Sequence, residues 1–282
     1  MVTAIFFGLA TALAWAVTSL CSARASRITG AAPTLAFVSL FGLVVSLPFA
    51  VADWRTGVAT VDILWAGLAG FGNVVGLLLL YAAVRRGKVG IAAPIVATEG
   101  AIVAVIAVLA GEALAPAAAV LLAVVVIGVV LATLDLGPGE DQYPVTRSFL
   151  ALAILGSIAF GVGLYSGGRV ASTVPGGWIV ASSRVVGVAI VALPLLVSGR
   201  LKVARPALPW ILITAIAEVA GYWMYVLGAR ADVAVTAVLA TQFSALTAVG
   251  AYFFLGERLS PLQRIGVALV CIGVGLLAAI QA

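Results

Sequence analysis

Histidine is absent from this chain, cysteine occurs twice, and charged residues make up only 9% of 282 positions. Without histidine, any proton relay falls to carboxylates, and a His-ligated metal site is excluded. Cys21 and Cys271 lie in or beside apolar stretches at opposite ends of the chain, which argues against a disulfide framework. No G-x-x-x-x-G-K-[ST] sequence is present and no stretch is left for a soluble nucleotide-binding domain, so this chain alone is not an ATP-driven pump. An intramembrane enzyme would need a nucleophile with its base, or an acidic metal cluster; neither is present, so enzymatic activity, a metal and a cofactor are all unexpected. The basic residues form no extended face interleaved with aromatics, and nucleic acid is not an expected partner.

What fills the chain is hydrocarbon: 64% of residues are hydrophobic, outside the range of soluble domains. A helix needs roughly 20 apolar residues to cross roughly 30 Å of lipid core. Ten stretches meet that need, near 3–23, 33–52, 62–84, 89–110, 116–134, 148–168, 176–197, 209–229, 233–255 and 261–280. Runs such as 117–134 are apolar on every face, unlike the alternating segments of a transmembrane barrel.

Sliding the chain by 145 residues superposes it on itself. Arg24 falls on Arg169, Trp65 on Trp210, Gly76 on Gly221, Arg85 on Arg230, Gly111-Glu112 on Gly256-Glu257, and Pro116 on Pro261. The expected organisation is one five-helix repeat over 1–135, a linker over 136–147 around Gly137-Pro138-Gly139, and a second repeat over 148–282. An odd number of crossings per copy makes the second copy enter from the opposite side, which predicts an all-α membrane protein of ten helices in two inverted repeats around a central cavity. Residues 1–25 end in an Ala23-Arg24-Ala25 site but lack a basic start and align with mid-chain sequence, so they read as a retained helix rather than a secretory signal. Setting Arg184 aside, eleven basic residues follow the odd-numbered spans and three follow the even ones; by lysine and arginine bias alone, both termini lie outside.

The stretch Arg85 to Thr133, with a short crossover into a small-residue helix, then Gly111-Glu112, Leu114, Pro116 and a glycine-containing last helix, resembles the membrane domain of EamA-type transporters of the drug/metabolite transporter superfamily; Arg230 to Ala278 repeats it. Within that superfamily the chain is similar to YddG-type amino-acid exporters. The resemblance implies a cavity lined by both halves, export of small metabolites, a multi-pass place in the bacterial inner membrane and, against the charge count, cytoplasmic termini. The expected partners are a small-molecule substrate and membrane lipid, with the protein a monomer or a homodimer.

Charged groups at mid-membrane cost from about 3 to more than 10 kcal/mol and normally face protein or water. Glu99, Arg184 and Glu218 qualify, either as a buried ion pair between Arg184 and one carboxylate or as coupling groups. Asn73 stands one repeat before Glu218. Thr11, Trp15, Thr18 and Ser22 share one helix face, and the equivalent face carries Phe160, which predicts Trp15 and Phe160 opposite each other across the path. Glu218, Tyr222 and Tyr225 share another face, where an acid beside phenol rings suits an ammonium group. Gln242 falls in the ninth span, and the YddG resemblance places Thr98 and Glu99 at the cavity, although Glu99 departs from that pattern. Glu112 and Glu257 are expected to cap the helices starting at Pro116 and Pro261, and the fifth and tenth spans to face lipid or another protomer.

Overall fold

The computed structural model describes residues 2–111, 116–133, 145–229, 231 and 233–281. Their regular structure is entirely helical: α1 Val2–Thr29, α2 Ala31–Ala52, α3 Thr60–Arg86, α4 Val89–Val96, α5 Glu99–Leu109, α6 Pro116–Thr133, α7 Arg147–Arg169, α8 Gly176–Gly187, α9 Leu193–Val197, α10 Leu208–Ala229, α11 Val233–Ala240, α12 Phe243–Phe254 and α13 Pro261–Gln281. A π-helical turn at Val188–Ala192 joins α8 to α9. Helix is what lipid requires, since each backbone N–H and C=O must be satisfied within its own segment.

Seven segments are long and apolar enough to cross a membrane: Val2–Thr29, Ala31–Ala52, Thr60–Arg86, Val89–Leu109, Arg147–Arg169, Gly176–Val197 and Arg205–Gly228. Three shorter apolar helices, Ala119–Ala132, Phe243–Phe254 and Pro261–Leu277, accompany them among the described residues. The fourth and ninth spans were expected to be continuous; each is instead broken near its middle. At Ala97-Thr98 the backbone has ψ of −10° and 1°, and at Gln242 ψ is −2°. There the ladder tightens to three-residue bonds, Thr98 N–H to Ile95 O and Gln242 N–H to Leu239 O. Pro94, inside α4, has already removed one donor from the ladder. Beyond the breaks, α5 and α12 are followed by Gly111 and Gly256, one repeat apart, with φ of 96° and 66°. Only glycine enters that left-handed region without steric penalty.

Packing crosses between the copies. The first helix of each lies along the third helix of the other, α1 on α10 and α7 on α3, with α2 on α10 answering α8 on α3. Small residues allow the approach: a Cβ on Gly72 would stand 2.6 Å from Ala159 O of α7. The side chains repeat the exchange. The Arg24 guanidinium lies 5.3 Å over the Trp210 ring, and its equivalent Arg169 lies 5.7 Å over Trp65. The fifth and tenth spans, expected to face lipid or a protomer, have one face against each other: Gly266 on α13 admits the α6 backbone at Gly128 and Ala132.

Candidate functional site: a cavity at two broken helices

The breaks in α4–α5 and α11–α12 open on a cavity of about 90 Å³, bounded by Trp15, Ala97, Glu99, Gly100, Thr241 and Phe243 among others. Glu99 is the first residue of α5, where its carboxylate meets the positive end of an eleven-residue half-helix. Among the described residues, no basic side chain lines the space. Thr98, at the break itself, donates to Ile95 O at 2.7 Å, and its Oγ1 lies 2.9 Å from Ser157 Oγ of α7. The Trp15 indole stacks on Tyr225 at 6.1 Å between centroids and meets Phe243 edge-on at 5.9 Å.

The structure thus brings together Trp15, Thr98 and Glu99, and recruits Thr241, Phe243 and Tyr225. It separates the other sequence candidates. Arg184 and Glu218 form a bidentate pair, Nη2 to Oε1 at 2.6 Å and Nη1 to Oε2 at 3.1 Å, clamping α8 to α10 with side chains 5% and 9% exposed. Gly42 of α2 makes room for the Arg184 stem; a Cβ there would stand 3.0 Å from Arg184 Cδ. Glu218 lies about one turn along α10 from Gly221, which carries the Trp15 ring, so the ion pair is the layer next to the cavity. Tyr222, one residue beyond Gly221 on α10, is half-buried.

Three further candidates lie outside this cavity's lining. Phe160 does not oppose Trp15: its ring lies over Gly76 of α3, 2.6 Å from where a Cβ would be, as Trp15 lies over the equivalent Gly221 of α10. Each aromatic packs on the other copy's third helix, and only Trp15 lines the cavity. Gln242 is not part of that lining; its Nε2 donates to Thr241 Oγ1 at 3.5 Å and stands 2.7 Å from a Cβ position on Gly275 of α13. Asn73 is beside Gly163 at the α3–α7 crossing, its Oδ1 buried without a hydrogen-bond partner.

Glu257 also departs from expectation, because it serves the other copy rather than its own next helix. Oε2 accepts from Gly90 N–H at the start of α4 at 2.9 Å, and Oε1 takes Arg27 Nη2 at 2.9 Å. Arg27 also donates to Val84 O and Gly87 O, while Lys88 Nζ reaches Arg258 O at 2.8 Å. This knot ties α1, α3 and α4 to the end of α12 on one face of the protein. Sequence reasoning missed Arg27, whose place just past the first expected span resembles that of any membrane-flanking arginine; the helix in fact continues to Thr29 and carries Arg27 in its last turn. The one signal was Glu257 itself, an acid following a glycine at a span end. Glu112, its repeat equivalent, and Arg230 lie outside the described residues.

Comparisons with known proteins agree with this architecture. A crystal structure of 17% identity aligns over 100% of this chain and 98% of its own at a TM-score of 0.64, which at that identity shows the fold alone. No curated protein sequence matches. The family model of EamA-like transporters matches twice, over residues 2–134 and 147–279. Two matches covering nearly the whole length, on a multi-pass helical membrane protein, establish that the chain belongs to the EamA-like transporter family.

Proposed function

We propose that this transporter exports small zwitterionic metabolites, amino acids with aromatic side chains among them, by alternating access between two copies threaded through the membrane in opposite senses with ten crossings in all. The exchanged pairs Arg24–Trp210 and Arg169–Trp65 support the opposed threading, since one offset interconverts them. The observation that carries the substrate class is the cavity where two half-helices meet an indole. Glu99, with Trp15 and Tyr225 rings alongside, is the receptor for an ammonium group. The start of α12, which has no acidic residue in its first turn, offers its positive end to the substrate carboxylate.

The cavity volume sets a requirement. At about 90 Å³ it holds about three waters at ~30 Å³ each, well below the ~300 Å³ at which ligand sites begin. Binding a tyrosine-sized molecule therefore requires the halves to separate, which is the motion alternating access supplies. The Arg27–Glu257 knot joins one copy to the other and resists that separation, so it is a place where a proton or ligand would act on it; the Arg184–Glu218 clamp holds two helices of the second copy together.

Multidrug or organic-cation export is the second reading, favoured because Arg184 is committed to Glu218 and, among the described residues, Glu99 is the one charged group lining the cavity. Tyrosine and tyramine, which differ by the carboxylate, separate the two. In proteoliposomes preloaded with each, the proposal expects faster tyrosine release than from protein-free vesicles, and slower tyramine release. Tyramine alone being released would establish the cation reading, and no difference from empty vesicles for either would refute both.

A further inference from the structure

We infer that the cleft between α12 and α13 is a binding site for one anionic phospholipid, the phosphate held by Arg258 and Arg264 and an acyl chain laid along the cleft. The cleft measures about 730 Å³ and is widened by small residues, Ala248 and Ala268, on its two walls. Its rim is apolar and turned outward: Val249 is 56% exposed, Phe253 73% and Ile272 58%. From Gln242 to Tyr252 it follows ten residues of helix, about 15 Å at 1.5 Å per residue. That is one leaflet of a hydrocarbon core about 30 Å thick.

Charge chooses the lipid. Both cations sit at one end of the cleft and are exposed, and among the described residues no carboxylate lines it. The Arg258 guanidinium is 4.2 Å over the Tyr252 ring, which holds it at the mouth with its N–H edges free to meet a phosphate. This end belongs to the face that carries Arg27 and Lys88, the face with eleven of the fourteen loop cations. The repeat supplies a control. Where the second copy has Tyr252, Arg258 and Arg264, the first has Ala107, Ala113 and Ala119, so the EamA-like fold does not itself require a cationic mouth here. At its inner end the cleft reaches Gln242, at the α11–α12 break, whose neighbours Thr241 and Phe243 line the central cavity.

The test uses full-length protein equilibrated in nanodiscs of equal phosphatidylglycerol and phosphatidylcholine, followed by extraction and native mass spectrometry. One retained phosphatidylglycerol per protein, in at least fivefold preference to phosphatidylcholine, is expected. R258Q/R264Q should abolish that preference, and A268W, which fills the cleft without changing charge, should reduce retention of both lipids. Melting in pure phosphatidylcholine checks that each variant is folded; should A268W not fold, A268L replaces it. Equal retention of the two lipids by wild type, or undiminished preference in R258Q/R264Q, overturns the inference. A cleft-filling variant that blocks transport while retaining lipid normally would assign the cleft to substrate entry instead and also overturn it.

Discussion

Replacing Glu218 with glutamine leaves the Arg184 guanidinium facing an uncharged amide inside the helix bundle. The fork it breaks is short on both arms, 2.6 and 3.1 Å, and both partners are under a tenth exposed, so solvent screening offers little relief. Removing one member of such a pair costs about 3–5 kcal/mol, chiefly from the uncompensated charge left behind, whereas replacing both members with apolar residues of similar volume is often close to neutral. At roughly 2–4 °C per kcal/mol for a chain of this order of size, the midpoint of thermal unfolding of E218Q in detergent should fall by about 6–20 °C. R184M/E218L should recover most of that loss. Flux assays on the recovered double variant then separate clamp from coupling: normal flux makes the pair structural, whereas lost flux in a stable protein makes it part of transport. An E218Q midpoint within about 2 °C of wild type would refute the buried fork.

Other substitutions test neighbouring parts of the argument. Glu99→Gln should leave the melting midpoint nearly unchanged and lower tyrosine export at least tenfold; unaltered flux would remove Glu99 from the site. Trp15→Ala should change the ranking of substrates in a liposome panel, and a variant that loses only expression would make the indole a packing group. On α3, Gly67 has open space where a Cβ would stand, while at Gly72 that atom would be 2.6 Å from Ala159 O; Gly67→Ala should stabilise by up to about 1 kcal/mol through helix propensity, and Gly72→Ala should destabilise, with matching midpoints refuting the close crossing. Arg27→Gln should raise cysteine-crosslink accessibility of the cavity from the basic face by several-fold, and no change there would mean that the knot does not hold that side shut.

The sequence shows the duplication, the long spans and the three mid-membrane charges because each is a one-dimensional property: an offset, a run length, a charge within an apolar run. It even carries the correct partner of each aromatic, since Trp15 and Phe160 are related by the same 145-residue step as Gly221 and Gly76. Placing the rings opposite each other assumed that equivalent positions converge; in fact each packs onto the other copy's third helix. The breaks at Ala97-Thr98 and Thr241-Gln242 vanish in a span-length hydropathy average, and the local hints are Pro94 and the polar residues at the breaks themselves, Thr98-Glu99 and Thr241-Gln242. The partner of Glu257 is 167 residues away on the opposite copy, at Gly90, and local capping rules cannot reach it.

Among the described residues, the guanidinium tether on the basic face has no counterpart in the other copy. The 145-residue step puts Ser172 where Arg27 stands, so the sequence does not repeat that guanidinium in the other copy. On the alternating-access reading proposed above, a carrier whose two copies are nearly rotationally equivalent but whose bolts are not will rest, when empty, with one vestibule shut more often than the other. Such a bias governs how fast cargo is picked up from each compartment. It leaves the final concentration ratio untouched, which only a coupled ion or a counter-substrate can change.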